Sequence, residues 1–159
     1  MAKSVAVIGA GPSGLVAVKE LLAEGHSPIC FEQASGIGGV FRFGETDGVV
    51  WESCTLTSSG RLTAFSDFPV RPDQTGHMSI AAYVAYLSDY CTRFQLHPHL
   101  RFSTAVESVT PDPNGGWTVT VRDADGPREH HFDAVAICSG LHQHPHLPRF
   151  PGQESFTGE

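Results

Sequence analysis

A parallel β-sheet backed by helices and carrying an antiparallel meander, an α/β fold, is what this sequence predicts. Three observations lead there. A short apolar run at residues 4–8, a helix-spaced stretch ending before Gly25, and a second apolar run at residues 28–31 form one strand–helix–strand unit. Three strand-like pieces separated by turn residues fill residues 104–132. A last apolar run at residues 134–138 stops on Ser139-Gly140.

The first strand is expected over Ser4–Ile8, because a short continuous apolar run bounded by Gly9 suits a strand covered on both faces. Pro12 fits the first turn of the helix that follows, where its missing N–H costs nothing. Leu15, Val18, Leu21 and Leu22 recur at helical spacing, and Gly25 is placed to end that helix. Two strands joined by a helix within about 30 residues pair in parallel. Residues 34–72 are irregular and rich in Gly, Ser, Thr and Pro. A loop of that length in a compact domain is usually functional or disordered, and Phe41, Phe43, Trp51, Phe65 and Phe68 argue for order.

Ser79 is a candidate cap for a helix whose Ile80, Tyr83, Val84, Leu87, Cys91 and Phe94 share one face. Strands at residues 104–110, 116–122 and 128–132 are punctuated by Asn114-Gly115-Gly116 and Asp125-Gly126-Pro127, which reads as a meander. Residues 134–138 read as a buried strand. Beyond Leu141, Pro145, Pro148 and Pro151 forbid a regular helix.

The chain of 159 residues is one domain's worth. Its formal charge of -7 speaks against nucleic acid and anionic membrane, both of which require basic patches. No apolar run approaches the roughly 20 residues that span a bilayer, and no leader pattern opens the chain, so a cytoplasmic location is expected. Cys30, Cys54, Cys91 and Cys138 are widely spaced and are expected to be reduced.

Gly9-Ala10-Gly11-Pro12-Ser13-Gly14 is the strongest local signal. The bare G-x-G-x-x-G pattern is weak. Here it follows a strand, opens a helix, and has Glu32 at the end of the next strand, 18 residues beyond Gly14. That context makes it a Rossmann-like dinucleotide fingerprint. Gly9 allows the tight turn, Gly11 lets backbone approach a pyrophosphate, and Gly14 lets helix and strand pack closely. The helix start offers free amides and positive dipole to phosphate, and Glu32 can accept hydrogen bonds from ribose hydroxyls. The later doublet Gly38-Gly39, followed by Val40-Phe41, suits a chain passing close to an extended cofactor. A meander inserted before a returning strand is the layout of flavoproteins with two dinucleotide-binding domains. FAD is therefore the expected cofactor.

Several stretches together resemble the flavin-containing monooxygenase family: VAVIGAGPSGL, CFEQASGIGGVFRF, LTAFSDFP and DAVAICSGLHQHPHLPRFPG. The resemblance covers essentially the whole chain but only the N-terminal third or so of a usual member. It implies NADPH-driven reduction of FAD and oxygenation of N or S centres or ketones through a C4a-peroxyflavin. By position it implies that Gly9 to Ser13 hold the pyrophosphate and Glu32 the ribose. Gly39, Val40 and Phe41 would lie near the flavin, and Thr57 and Ser58 beside the flavin ring and the nicotinamide. Where the family commonly has an Asn, this chain has Thr57, which keeps a hydroxyl and lacks the amide. No residue is singled out as catalytic.

The family's F-x-G fingerprint opens at Phe156-Thr157-Gly158, and its His does not follow within these residues. The expectation is one FAD-binding domain over residues 1–159, truncated, without the NADPH domain or the C-terminal FAD segment. Turnover would then require a second polypeptide carrying the missing half. The alternative is a non-catalytic, truncated FAD-binding module or remnant. His142, His144 and His146 alternate, but Pro145 interrupts them and no Cys or carboxylate is near, so no metal site is expected.

Overall fold

A computed structural model describes residues 1–43, 50–141 and 146–158. Strand β1 (Ser4–Ile8) leads into helix α1 (Pro12–Ala23) and strand β2 (Ser27–Phe31). β1 and β2 pair in parallel, Ser4 opposite Ser27 through Ile8 opposite Phe31. α1 ends as a Schellman motif. Gly25 sits at φ +76°, its N–H donates to Leu22 O, and the His26 N–H donates to Leu21 O.

Strand β3 (Thr55–Ser59), the short helix α2 (Gly60–Thr63) and strand β4 (His77–Ser79) follow. Helix α3 (Ile80–Arg93) is capped by Ser79, whose hydroxyl accepts from Ala82 N. Strand β5 (Leu100–Arg101) extends the sheet. Then come the meander β6 (Ala105–Pro111), β7 (Trp117–Asp123) and β8 (Gly126–Phe132), and strand β9 (Ala134–Ile137). The parallel sheet has the order β5-β2-β1-β9, so β1 is interior, and β6-β7-β8 form the antiparallel sheet.

Three layers result from the alternation along β1 and β2. Val7 and Cys30 face one core with Leu15, Val18, Leu87 and Cys91 of α1 and α3. Ala6 and Phe31 face the other core with Val119, Val121 and Phe132 of the meander. Burial pushes the Cys30 thiol up to about 12, so it stays protonated. It donates to Gly9 O from beneath the glycine loop at 3.4 Å.

The structure corrects the sequence reading in several places. The stretch expected to be irregular contains β3 and α2, and β3 pairs antiparallel with β4 just beyond that stretch. Each of the two strands buries a single side chain, Leu56 and Met78, which is too little alternation to announce a strand. β5 has two residues and was not anticipated. On α3, Tyr86 and Tyr90 are fully buried, while Val84 and Phe94 are only half-buried. β9, expected to be buried, is the outer strand of the described sheet, and Ile137 is 75% exposed. On β8, His131 is exposed, but His130 is half-buried and its ring lies 5.6 Å from that of Phe31.

Three carboxylates make local ties at the margins of the fold. Asp133 accepts from Ser4 N and Ser4 Oγ at 2.7 and 2.8 Å, joining the starts of β9 and β1. Asp112 accepts from Asn114 N in the β6–β7 turn, and Asp67 pairs with Lys19 of α1 at 2.7 Å. These bonds hold all three carboxyls below the ordinary aspartate value: the Ser4 hydroxyl for Asp133, the Asn114 amide for Asp112, the Lys19 ammonium for Asp67. A lowered carboxylate contributes stability above its unfolded pKa and loses it as pH falls through the folded one. The unfolding midpoint is therefore expected to be flat from pH 7 to 5 on this account and to fall below about pH 4. Urea titrations across that range check it, and Asp133→Asn should make the fall shallower.

Candidate functional site

The carboxyl ends of β1, β2 and β9 are level, since Ile8 stands opposite both Phe31 and Ile137. Ligands of open parallel sheets bind in the crevice beyond such ends. Gly9 turns there at φ +101°. A Cβ on it would lie 2.7 Å from Cys138 O and 3.5 Å from Ser139 Cα, so the loop is pressed against the end of β9. Gly11, extended at φ -74°, is the N-cap of α1 and has no side chain to cap it. Pro12 has no N–H, and the amides of Ser13 and Gly14 have no acceptor within the helix. They are left for a ligand, in the positive end of the helix dipole.

A second glycine loop closes on the first. Gly38 N donates to Ala10 O at 3.0 Å, and a Cβ built on Gly39 would lie 3.1 Å from Gly11 Cα. Side chains on either loop would fill the cradle between them. Val40 and Phe41 continue from Gly39 in a single 3₁₀ turn, and the Phe41 ring meets Tyr83 of α3 edge-on at 4.8 Å.

Glu32 sits against the first glycine loop and is 7% exposed. One carboxylate oxygen accepts from Ala10 N at 2.7 Å and the other from Ala34 N at 2.8 Å. Its backbone is held at the end of β5 and just beyond it, by Glu32 N to Arg101 O and Thr104 N to Glu32 O. The residue expected to receive a ribose thus also braces the glycine loop. Each oxygen keeps a further lone pair for an outside donor.

Glu32→Gln turns one of the two acceptors into a donor facing a backbone N–H. Such a buried unpaired amide costs about 1–3 kcal/mol. Without any cofactor the variant is expected to unfold at lower urea than the parent. An unchanged midpoint would remove the bracing role.

Thr57 and Ser58 lie on β3, both exposed, with Ser58 Oγ 2.6 Å from Thr63 Oγ1. The structure therefore gathers Gly9 to Gly14, Glu32 and Gly39 into one cradle and leaves Thr57 and Ser58 on a separate element. The reading of the sequence overlooked Cys138 and Ser139, Ala34 and Tyr83. Ser139-Gly140 at the end of the returning strand was the available signal. Of the alternating histidines, His142 and His144 lie outside the described residues. Among the described residues no three His, Cys, Asp or Glu side chains gather as a metal site, and no helix is long and apolar enough to cross a membrane.

Comparison with known proteins agrees with this geometry. The family model described as flavin-binding monooxygenase-like matches residues 2–159. N-oxide-forming dimethylaniline monooxygenase 4 of Mus musculus is 41% identical over 100% of this chain and 30% of its own. S-allyl-L-cysteine S-oxygenase from Allium sativum superposes with a TM-score of 0.88 at 26% identity, covering 100% of this chain and 41% of that one. An oxidised steroid monooxygenase bound to NADP gives a TM-score of 0.72 at 26% identity over 100% and 30%. The chain spans about a third of the length of the curated relatives it matches.

Proposed function

The chain belongs to the flavin-binding monooxygenase-like family, and from that premise we propose that residues 1–159 form the FAD-holding part of an NADPH-dependent flavin monooxygenase. The observation that carries the reading is the pair of glycine loops meeting at the uncapped start of α1, with Glu32 bonded to the first of them through Ala10. In this reading the Ser13 and Gly14 amides and the backbone of residues 9–12 hold the pyrophosphate. Glu32 takes the adenosine ribose while it keeps Ala10 in place. Gly39, Val40 and Phe41 line the flavin end, with Thr57 and Ser58 across from them. FAD, when bound, supplies the redox and oxygen chemistry, and the protein supplies orientation and exclusion of water.

The substrates would be soft nitrogen or sulfur centres or ketones. The N-oxide-forming and S-oxygenase relatives support the first two. NADPH fits the NADP-bound relative. These 159 residues contain a single dinucleotide fingerprint, which the reading gives to FAD.

The test is the visible spectrum of the purified chain, followed by titration with FAD. Bound flavin with quenched fluorescence is expected. A colourless protein that leaves added FAD unperturbed would overturn the reading.

A further inference from the structure

Tyr86 lies in the middle of α3, outside every segment assigned to the cofactor, and is 3% exposed. Its hydroxyl makes two backbone hydrogen bonds. It accepts from Phe65 N at 2.8 Å and donates to Phe68 O at 2.7 Å. Burial raises this phenol above its ordinary value, which keeps the donated proton in place at neutral pH. The same turn closes on itself through Phe68 N to Phe65 O at 3.1 Å. Its Asp67 reaches Lys19 of α1, the helix that begins at the glycine loop.

The Tyr86 ring continues the connection. It stacks on Tyr83 with centroids 5.8 Å apart and planes 10° apart, and Tyr83 abuts Phe41. Phe65 also follows directly on β3 and α2, through Gly60 O accepting from Ala64 N. One buried hydroxyl and two rings therefore lie between the Gly39–Phe41 turn and the strand that carries Thr57 and Ser58.

We infer that Tyr86 is a positioning residue. Its hydroxyl anchors the Phe65–Phe68 turn, and its stack on Tyr83 sets the spacing between the two segments assigned to the flavin end. That flavin assignment rests on the function proposed above, but the mechanical coupling does not. Tyr90 provides an internal control. Its ring belongs to the same cluster, 4.6 Å from Phe65, and its buried hydroxyl has no hydrogen-bond partner among the described residues.

The experiment compares the parent 159-residue chain with Tyr86→Phe and Tyr90→Phe. Tyr86→Phe keeps the ring and the stack and removes only the hydroxyl. Amide hydrogen exchange without FAD should quicken roughly tenfold in Tyr86→Phe over residues 55–68 and 39–41, since two backbone groups lose their partner. Residues 105–132 should be unchanged, and Tyr90→Phe should match the parent throughout. Exchange that quickens only at residues 65–68, or equally in both variants, overturns the inference.

With FAD added, Tyr86→Phe should shift the visible bands and fluorescence of bound flavin relative to the parent and to Tyr90→Phe. Identical flavin spectra in all three overturn the inference and leave the proposed function standing. A parent that binds no flavin overturns the proposed function, and the exchange pattern still decides the role of Tyr86.

Discussion

Gly14→Ala is expected to cost at least about 3 kcal/mol of folding stability, the upper end for inserting a methyl into a packed interior. A Cβ on Gly14 would lie 1.8 Å from Gly9 O, 3.0 Å from Gly9 C and 3.6 Å from Cys138 Cβ. The first two are backbone atoms, so no rotamer change relieves them. Gly9 cannot retreat, because it is already pressed against the Cys138 carbonyl. Helix α1 must therefore lift away from the ends of β1 and β9, which strips contacts from Leu15 and Val18, both fully buried. The better helix propensity of Ala returns only about 1 kcal/mol. Against a typical total of about 5–15 kcal/mol, the loss should appear as a large drop in the urea midpoint or as insoluble protein. Gly25→Ala is the comparison. Its site has nothing within 4 Å and carries only the strain of φ +76°, worth about 1–2 kcal/mol. If Gly14→Ala unfolds at the parental midpoint, the packing of the loop against the helix is wrong.

Much of this fold was legible because its first 31 residues state their periods openly. An apolar run, a helical stripe closed by a left-handed glycine, and a second apolar run leave one right-handed crossover as the ordinary solution. The meander was legible from its turns, since Gly115, Gly116 and Gly126 all take positive φ in the structure. What escaped was whatever depends on partners distant in sequence. β3 and β4 exist because residues 55 and 79 pair across a gap that no local pattern announces. Tyr86 looks like an ordinary aromatic helix residue until Phe65 and Phe68 are brought to its hydroxyl. The chemistry of Glu32 was half visible. Its place after β2 pointed to a ribose, and its bond to Ala34 is local, but its bond to Ala10, 22 residues away, follows only from the folding of the glycine loop onto the end of β2. The burial of β9 was overread, because composition shows that a strand is apolar and not whether another strand lies beyond it.

Gly11→Asp should separate binding from folding, with effects of opposite sign. Gly11 has extended backbone at φ -74° and ψ -178°, and a Cβ there would meet Gly39 Cα at 3.6 Å, an ordinary contact. The fold therefore has room for the side chain. Gly11 is also the N-cap of α1, and Asp is among the best residues for that position. Its carboxylate can accept from the Ser13 or Gly14 amide, which now has no acceptor in the helix. Stability should be held or raised by up to about 1 kcal/mol on the cap alone, since Gly to Asp at an N-cap is a small gain. The same carboxylate occupies the amides proposed for the pyrophosphate and brings a negative charge within a few ångströms of it. Two like charges about 4 Å apart near a protein surface repel by about 4 kcal/mol. Three of those kcal/mol surviving screening would weaken FAD more than a hundredfold. Urea unfolding and FAD titration on one preparation measure both effects. Parental FAD affinity in Gly11→Asp would show that the phosphates do not lie at this helix start. A collapsed urea midpoint would show instead that the two glycine loops leave no room there.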